Sequence, residues 1–226
     1  MQYDSVTEGV FISRPNRFIA HVELQGEPQT VHVKNTGRCR ELLIPGARVY
    51  LQRSSRTDRK TAYDLIAVRK GDRLINMDSQ IPNAAAEEWI RAGGLFPDLR
   101  LLKREVAYGD SRFDLYAEHG GGKAFIEVKG VTLEEDGVVR FPDAPTERGV
   151  KHLKELIRCH EEGCDAYILF VIQMQDVRWF EPNTATHPAF ADALRQAAQR
   201  GVHVLAYDCL VQADRISVNA PVKVRL

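Results

Sequence analysis

Three charged side chains lie in two apolar segments near the middle of the chain. Asp114 falls in SRFDLY, and Glu127 and Lys129 are two residues apart in IEVKG. Side chains two apart on a strand leave the same face. If the two segments pair as a hairpin, Asp114 stands beside Glu127. Two converging carboxylates suit a hard cation such as Mg²⁺, which takes oxygen ligands and keeps several waters.

A cation held there would act on a phosphodiester, because it polarises the phosphate and lowers the pKa of a bound water. Lys129 would orient that water and stabilise negative charge. The same triplet also occurs as a salt-bridged exposed face. Phe125 and Val128 make the strand apolar, however, and charges there are costly unless they are used or paired. The sequence therefore predicts a Mg²⁺ or Mn²⁺ site formed by Asp114, Glu127 and the backbone carbonyl of Val128.

A second group of candidate residues follows in FPDAPTERGVKHLKEL. Thr146 is a good helix N-cap, and three basic residues follow it in the first turns of the predicted helix. A helix N-terminus attracts anions, so positive charge beside it favours a phosphate. The alternative is an ordinary solvated helix face, opposite the apolar stripe. We predict phosphate contacts from Arg148 and His152, and we add Lys151 to the catalytic group.

The elements that must position these residues divide the chain into two parts. Residues 1–80 contain five or six short strand segments separated by turn residues, which predicts a small closed β-barrel of the OB-fold type. Residues 81–226 alternate helices and strands and include the continuous apolar run AYILFVIQ, which predicts an α/β domain with a mixed sheet. Asn83 is the predicted cap of its first helix. We place the domain boundary near 79–84 and expect few contacts to cross it.

Charge is divided unevenly between the two parts, although the formal net charge is zero. Residues 1–80 hold 13 Lys and Arg against nine Asp and Glu, a net of +4, which leaves −4 for residues 81–226. Eight of the basic residues lie within 34–60, where they either neutralise phosphates or form a plain solvated face. The predicted nucleic-acid contacts here are Lys34, Arg38, Arg40 and Arg56, with Phe18 or Tyr50 stacking on bases.

The bulk composition excludes several classes of protein. With 44% hydrophobic and 27% charged residues, the chain is not of the disordered type. No apolar run reaches the roughly 20 residues needed to cross a bilayer, and the first segment lacks the apolar core of a signal peptide. The four cysteines form no C-x-x-C pair, and we interpret Cys159 and Cys164 as reduced thiols. We expect a cytoplasmic protein with no membrane partner.

Four segments closely resemble the sugar fermentation stimulation protein A family: NTGRCRELLIPG, SRFDLY, EVKGVTL and FPDAPTERGVKHLKEL. The resemblance implies an N-terminal oligonucleotide-binding barrel and a C-terminal domain of the PD-(D/E)XK nuclease type. It also implies a DNA-binding protein linked to the regulation of sugar (maltose) metabolism. The nuclease pattern maps onto Asp114, Glu127 and Lys129, with Phe113 where the pattern has proline.

The resemblance leaves one position of the nuclease pattern open. Such nucleases use a further acidic residue from a preceding element, for which both Glu105 and Glu88 qualify. Arg112, two residues before Asp114, is a further predicted nucleic-acid contact.

Three functions remain open on the sequence alone. The first is a metal-dependent nuclease, and the second is a DNA-binding regulator that keeps the fold without cutting. The third is an RNA-directed or small-nucleotide-binding module, because barrels of this type accept all of these ligands. The carboxylate pair favours the nuclease, since a pure binder needs positive charge facing a phosphate. The expected partner is DNA, with RNA and a homodimer left open.

Overall fold

The computed structural model describes residues 1–35, 37–56 and 58–226. The strands of the first sheet are β1 (Val6–Ser13), β2 (Ile19–Leu24), β3 (Glu27–Val33), β4 (Arg48–Arg53), β5 (Tyr63–Lys70) and β6 (Arg73–Asn76). Their order is β3-β2-β1-β4-β5-β6, and a parallel pairing of β3 with β5 closes the first five into a barrel. Alternate residues of β2 point into its core, as the pleat of a half-buried strand requires. The predicted OB-like barrel is confirmed.

A mixed sheet covered by helices forms the second half. Its elements are α1 (Ile81–Arg91), β7 (Leu101–Tyr108), β8 (Ser111–His119), β9 (Gly122–Val131), β10 (Leu133–Glu135), β11 (Val138–Phe141), α2 (Glu147–Glu161), β12 (Asp165–Ile172), β13 (Trp179–Pro182), α3 (Pro188–Gln199), β14 (His203–Gln212) and β15 (Arg215–Pro221). The sheet order is β15-β14-β12-β9-β8-β7, with β9, β12 and β14 parallel and the outer pairs antiparallel. The predicted mixed sheet is confirmed. Within the described ranges, no helix is long and apolar enough to span a membrane.

Helix α2 starts where its sequence predicts. The Thr146 hydroxyl accepts a hydrogen bond from the Gly149 N–H at 3.1 Å, which satisfies one of the free donors of the first turn. The helix buries the face that carries Leu153 and Leu156 against the sheet. This cap fixes where the following charged residues lie along the helix.

One prediction about local structure is wrong, and one small sheet was not predicted. Helix α1 is preceded by Gln80 rather than capped by Asn83, and Pro82 lies in its first turn, a position that tolerates proline because its N–H is free anyway. After β9, strands β10 and β11 form a hairpin that extends with β13 into the unpredicted three-stranded sheet. Strands of three or four residues are too short to show an alternating pattern.

The two halves meet at a buried polar interface. The N–H of Asn76 donates to the Gln173 carbonyl at 2.9 Å, and the Gln173 amide donates to the Asn76 side chain at 3.0 Å. The same amide donates to the backbone carbonyl of Asp78 at 3.0 Å. These buried polar groups thereby find hydrogen-bond partners in the other half, as buried polar groups generally do.

Glu134 ties the barrel to the three-stranded sheet. Its carboxylate contacts Lys70 Nζ and Arg73 Nη1, each at 2.8 Å. Burial alone would raise the pKa of Glu134. The hydrogen bonds from Lys70 and from the Gly137 N–H, with the charges of Lys70 and Arg73, outweigh it and lower that pKa. The carboxylate therefore stays ionised and holds the two halves in one orientation.

Candidate functional site

The β8–β9 hairpin places Asp114 next to Glu127. Leu115 pairs with Ile126, and one step further the Val128 N–H donates to Asp114 Oδ2 at 2.8 Å. The second oxygen, Asp114 Oδ1, accepts from Asn83 Nδ2 of α1 at 2.7 Å. Both oxygens are thereby aimed by fixed donors, which holds the carboxylate at the end of the hairpin.

Glu127 is buried, with 2% of its surface exposed. Its Oε1 receives hydrogen bonds from Lys129 Nζ and His152 Nδ1. Burial alone would raise the pKa of Glu127, but these hydrogen bonds and the positive charge of Lys129 outweigh it and lower that pKa. The other oxygen, Oε2, is buried and has no hydrogen-bond partner among the described residues. An ionised carboxylate oxygen in that position needs a cation or a donor.

Asp114 has the opposite electrostatic character. Burial, and then the negative charge of Glu127, raise the pKa of Asp114 above its ordinary value. Neighbouring carboxylates pushed apart in pKa are a recurring feature of functional sites. In this pair a positive charge placed between the two groups would stabilise the ionised form of both.

The donor set fits a hard divalent cation. Asp114 and the unpartnered Oε2 of Glu127 offer carboxylate oxygens, and the chain between Glu127 and Lys129 offers the backbone carbonyl of Val128. The part of the chain described contains no group of three His, Cys, Asp or Glu side chains converging on one point. Mg²⁺ is commonly held by one or two carboxylates with waters in its remaining positions, so the smaller set is adequate.

The structure places the two candidate third carboxylates differently. Glu88 accepts from the Met1 amine at 2.5 Å and so lies on another side of α1. Glu105 is the cross-strand neighbour of Asp114 in the β7–β8 ladder, between the flanking residue pairs, and is exposed. Its φ of 54° is in the left-handed region, which is uncommon for a residue other than glycine.

The basic residues of α2 divide into a buried and an exposed set. His152 is 4% exposed and held between Glu127 and Arg148 Nε, the latter at 3.3 Å, so its predicted place on the solvent face is wrong. Gly149, His152 and Leu153 in fact share the buried stripe of the helix. Arg148 and Lys151 are exposed, and Lys151 Nζ donates to the carbonyl of Asp110 at 2.8 Å. Lys151 thus binds the turn between β7 and β8 and does not contact the carboxylates of Asp114 and Glu127.

The predicted nucleic-acid contacts on the barrel also divide into exposed residues and residues held by an acidic partner. Arg38 and Arg40 are exposed beside an open cavity of about 670 Å³, and Arg112 of β8 is exposed as well. Lys34, in contrast, is held by Asp78. Arg56 pairs with Asp58 at 2.9 Å on an exposed loop. Of the two candidate stacking residues, Tyr50 is buried and Phe18 is 51% exposed, which leaves Phe18.

Three side-chain contacts were not predicted from the sequence: one at each carboxylate of the pair and one in the barrel. Asn83 and His152 each hold one carboxylate of the pair. Arg14 binds the backbone carbonyls of Asn35, Gly37, Arg38 and Arg17 at 2.7 to 2.9 Å. The stripe spacing of His152 was a usable signal, whereas nothing in the sequence indicates the partners of Asn83 or Arg14.

Two family models together match most of this chain. The family model described as the SfsA N-terminal OB domain matches residues 12–77, and the model of the Sugar fermentation stimulation protein RE domain matches residues 80–215. This chain belongs to the sugar fermentation stimulation protein family. A homolog from Clostridium beijerinckii is 56% identical over 226 residues, covering 100% of both chains. A Desulfitobacterium hafniense homolog is 57% identical and covers 100% of this chain and 99% of its own.

A solved relative shares the whole fold. The structure of Pyrococcus furiosus SfsA in complex with Ca²⁺ aligns with a TM-score of 0.89 at 29% identity. The alignment covers 100% of this family member and 98% of that chain. The architecture of barrel and mixed sheet is therefore common to both.

Metal linkage gives a prediction that needs no activity assay. Folding raises the pKa of Asp114 above the value of about 3.9 that an Asp has in the unfolded chain. The free energy of unfolding therefore falls as pH rises from about 3.9 through the higher pKa of the folded state. Asp114→Asn should therefore have a higher Tm than wild type at pH 7 in EDTA. The Asn83 amide would turn so that its oxygen accepts a hydrogen bond from the new asparagine side chain. Mn²⁺ at one hundred times its Kd should raise the wild-type Tm by roughly 5–10 °C and leave the variant unchanged.

The matched control for this measurement is Asp192→Asn, which makes the same charge change on the exposed side of α3. Its Mn²⁺-induced shift should equal that of wild type. A Tm shift of wild-type size in Asp114→Asn would show that Mn²⁺ binds elsewhere.

Proposed function

We propose that this protein is a Mg²⁺- or Mn²⁺-dependent phosphodiesterase that cuts nucleic acid, with DNA as the leading substrate and the cytoplasm as its compartment. The observation that carries the proposal is the buried, unpartnered Oε2 of ionised Glu127 beside Asp114, with Lys129 at the same carboxylate. Four free cysteines are compatible with a reducing compartment.

Each side chain has a role in this reaction. Asp114, Glu127 and the Val128 carbonyl would hold the cation, which when bound polarises the phosphate and lowers the pKa of a water. Lys129, with 18% of its side chain exposed, donates toward the phosphate oxygen or the attacking water. Asn83 and His152 keep the two carboxylates in place, and Arg148 adds positive charge on the exposed start of α2.

Two findings on relatives support the proposal without deciding it. The model matching the second half is described as an RE domain, and the Pyrococcus furiosus relative was solved with Ca²⁺. Ca²⁺ takes oxygen ligands, as Mg²⁺ does, but with more of them and longer bonds. A site that accepts a divalent cation through oxygens is what the carboxylate pair of this chain offers.

A second candidate is a DNA-binding regulator of sugar (maltose) metabolism that does not cut. It is favoured by the absence, among the described residues, of a third His, Cys, Asp or Glu side chain that converges on the pair. It is opposed by the cost of two buried acids facing a polyanion with no cation between them.

Cleavage assays separate the two candidates. Purified protein is incubated with labelled single-stranded DNA, duplex DNA and RNA in EDTA, Mg²⁺, Mn²⁺ or Ca²⁺, beside Glu127→Gln and the control Asp192→Asn. We expect cutting by wild type and by the control in Mg²⁺ or Mn²⁺, and none by Glu127→Gln. If no metal supports cutting of any substrate, or if Glu127→Gln cuts as fast as wild type, the regulator replaces the nuclease.

A further inference from the structure

An open cavity of about 670 Å³ lies on the barrel, at an edge that one residue of the second half also lines. Its walls include Ile12, Arg17, Arg38, Arg40 and Leu43 from the barrel, and Ala144 from the segment that leads into α2. We call it the arginine cavity. Its volume is within the range of roughly 300–1,000 Å³ typical of small-ligand pockets, so it has room for an unpaired nucleotide.

Arg14 and Cys39 build this cavity. The guanidinium of Arg14 binds four backbone carbonyls around it and so fixes the loop that carries Arg38 and Arg40. Cys39 is 3% exposed with a φ of +46°, a conformation that is costly for a residue with a Cβ. The buried, left-handed Cys39 turns the chain so that the arginines on both sides of it are exposed.

The cavity combines free positive charge with apolar surface. Arg17, Arg38 and Arg40 form no ion pair in the described part of the chain. Of the lining residues, Ile12 is 42% exposed. Phe18 lies outside the lining, but it is 51% exposed and its ring is 5.9 Å from the guanidinium of Arg17, which does line the cavity. Cationic groups that track phosphates, with an aromatic ring nearby on which a base can stack, are the recurring composition of single-strand binding sites.

A smaller cavity of about 190 Å³ adjoins the arginine cavity. Gly37 lines both of them, and Gly130, the residue after Lys129, lines the smaller one. A Cβ on Gly37 would lie 2.5 Å from Asp143 Oδ2, so the boundary between the two cavities has no room for a side chain at this position. The smaller cavity therefore reaches β9 one residue beyond Lys129.

We propose that the arginine cavity receives an unpaired nucleotide, so that the substrate is single-stranded nucleic acid or the single-stranded overhang of a duplex. This inference rests on the proposed function and names its substrate class. Paired bases remain stacked inside a duplex and present only their edges, whereas an unpaired base can leave the stack and enter the cavity.

Binding assays in EDTA test the proposal separately from cutting. Fluorescence anisotropy is measured with wild-type protein on labelled oligonucleotides of equal length: single-stranded DNA, single-stranded RNA, a blunt duplex and a duplex with an overhang. We expect the single strands and the overhang to bind at least ten times more tightly than the blunt duplex. A blunt duplex that binds as tightly as the single strand would overturn the proposal.

Variants locate the binding to the cavity. Arg38→Ala with Arg40→Ala should weaken single-strand binding at least tenfold and lower the slope of log K against log salt by about 1.4, since each single-strand phosphate contact contributes about 0.7. Arg215→Ala, at an exposed position of β15 outside the cavity, should change affinity less than twofold. An equal effect of the double variant and of Arg215→Ala would contradict the assignment.

A second pair of variants covers the case that the double variant misfolds. Ile12 and Val10 are both exposed residues of β1, but only Ile12 lines the cavity. Ile12→Glu should weaken single-strand binding at least tenfold, and Val10→Glu should weaken it less than threefold. Single-strand preference without cutting in any metal would leave this inference standing and remove the nuclease. If blunt duplexes and single strands were cut equally fast, the nuclease would stand and the single-strand inference would fail.

Discussion

Replacing Asp114 by Asn is expected to abolish cleavage while leaving nucleic-acid binding unchanged or slightly tighter. The substitution removes one carboxylate from a pair that would otherwise hold the cation, and it removes negative charge that repels phosphate in the absence of metal. Cleavage should fall by at least about a hundredfold, the loss typical of removing a group that stabilises developing charge. Initial rates on labelled single-stranded DNA, and anisotropy in EDTA, measure the two effects.

Lys129→Ala separates the metal from the rest of the site. Its cleavage rate should fall by about 10²–10³, while Mn²⁺ still raises its Tm, because both carboxylates remain. The Asp192→Asn protein should cut and bind as wild type does. Cutting at the wild-type rate by Lys129→Ala would remove this residue from the reaction, whatever the metal does.

Glu134→Ala should lower the free energy of unfolding by about 3 kcal/mol at pH 7, because it leaves Lys70 and Arg73 without their shared partner at a mostly buried position. The value is at the low end of the range for buried pairs, since both cations are partly exposed. Urea unfolding measures it. Glu135→Ala, which removes the neighbouring exposed carboxylate, should cost less than about 1 kcal/mol.

The pH dependence of this effect has a defined sign. Folding lowers the pKa of Glu134, so its stabilisation is complete above the unfolded value of about 4.3 and is lost as pH falls through the lower folded value. The stability difference between wild type and Glu134→Gln should therefore shrink as pH is lowered below about 4.3. A constant difference down to pH 3 would show that packing, not charge, is responsible.

The fold was largely predictable from the texture of the sequence. Short strands with frequent turn residues indicated the barrel, and the unbroken apolar segment of β12 indicated a strand buried on both faces. The Asp114–Glu127 approach followed from a single assumption, that SRFDLY and KAFIEVKG form a hairpin. Local patterns decide these features, because pleat and hairpin geometry relate residues close in the chain.

The partners of the site residues could not be predicted in the same way. Asn83 lies 31 residues before Asp114, and His152 lies 25 residues after Glu127. Contacts of that separation depend on how helices pack on the sheet, which one sequence does not specify. Lys34 was assigned to a phosphate on its charge alone, and in the structure it lies 2.9 Å from the buried carboxylate of Asp78, in the same half of the chain. A lysine that faces solvent and a lysine that pairs with a buried acid cannot be told apart from the sequence alone.

The bonds of Arg14 to four carbonyls have a consequence for the thermodynamics of ligand capture. A loop already fixed by its own protein does not lose conformational freedom again when a strand arrives, and preorganisation of this kind reduces the entropic cost of association. In the proposed binding mode, the ordering cost falls mainly on the nucleic acid. Chain stiffness, which differs between base compositions, then becomes a source of discrimination that requires no contact with base edges.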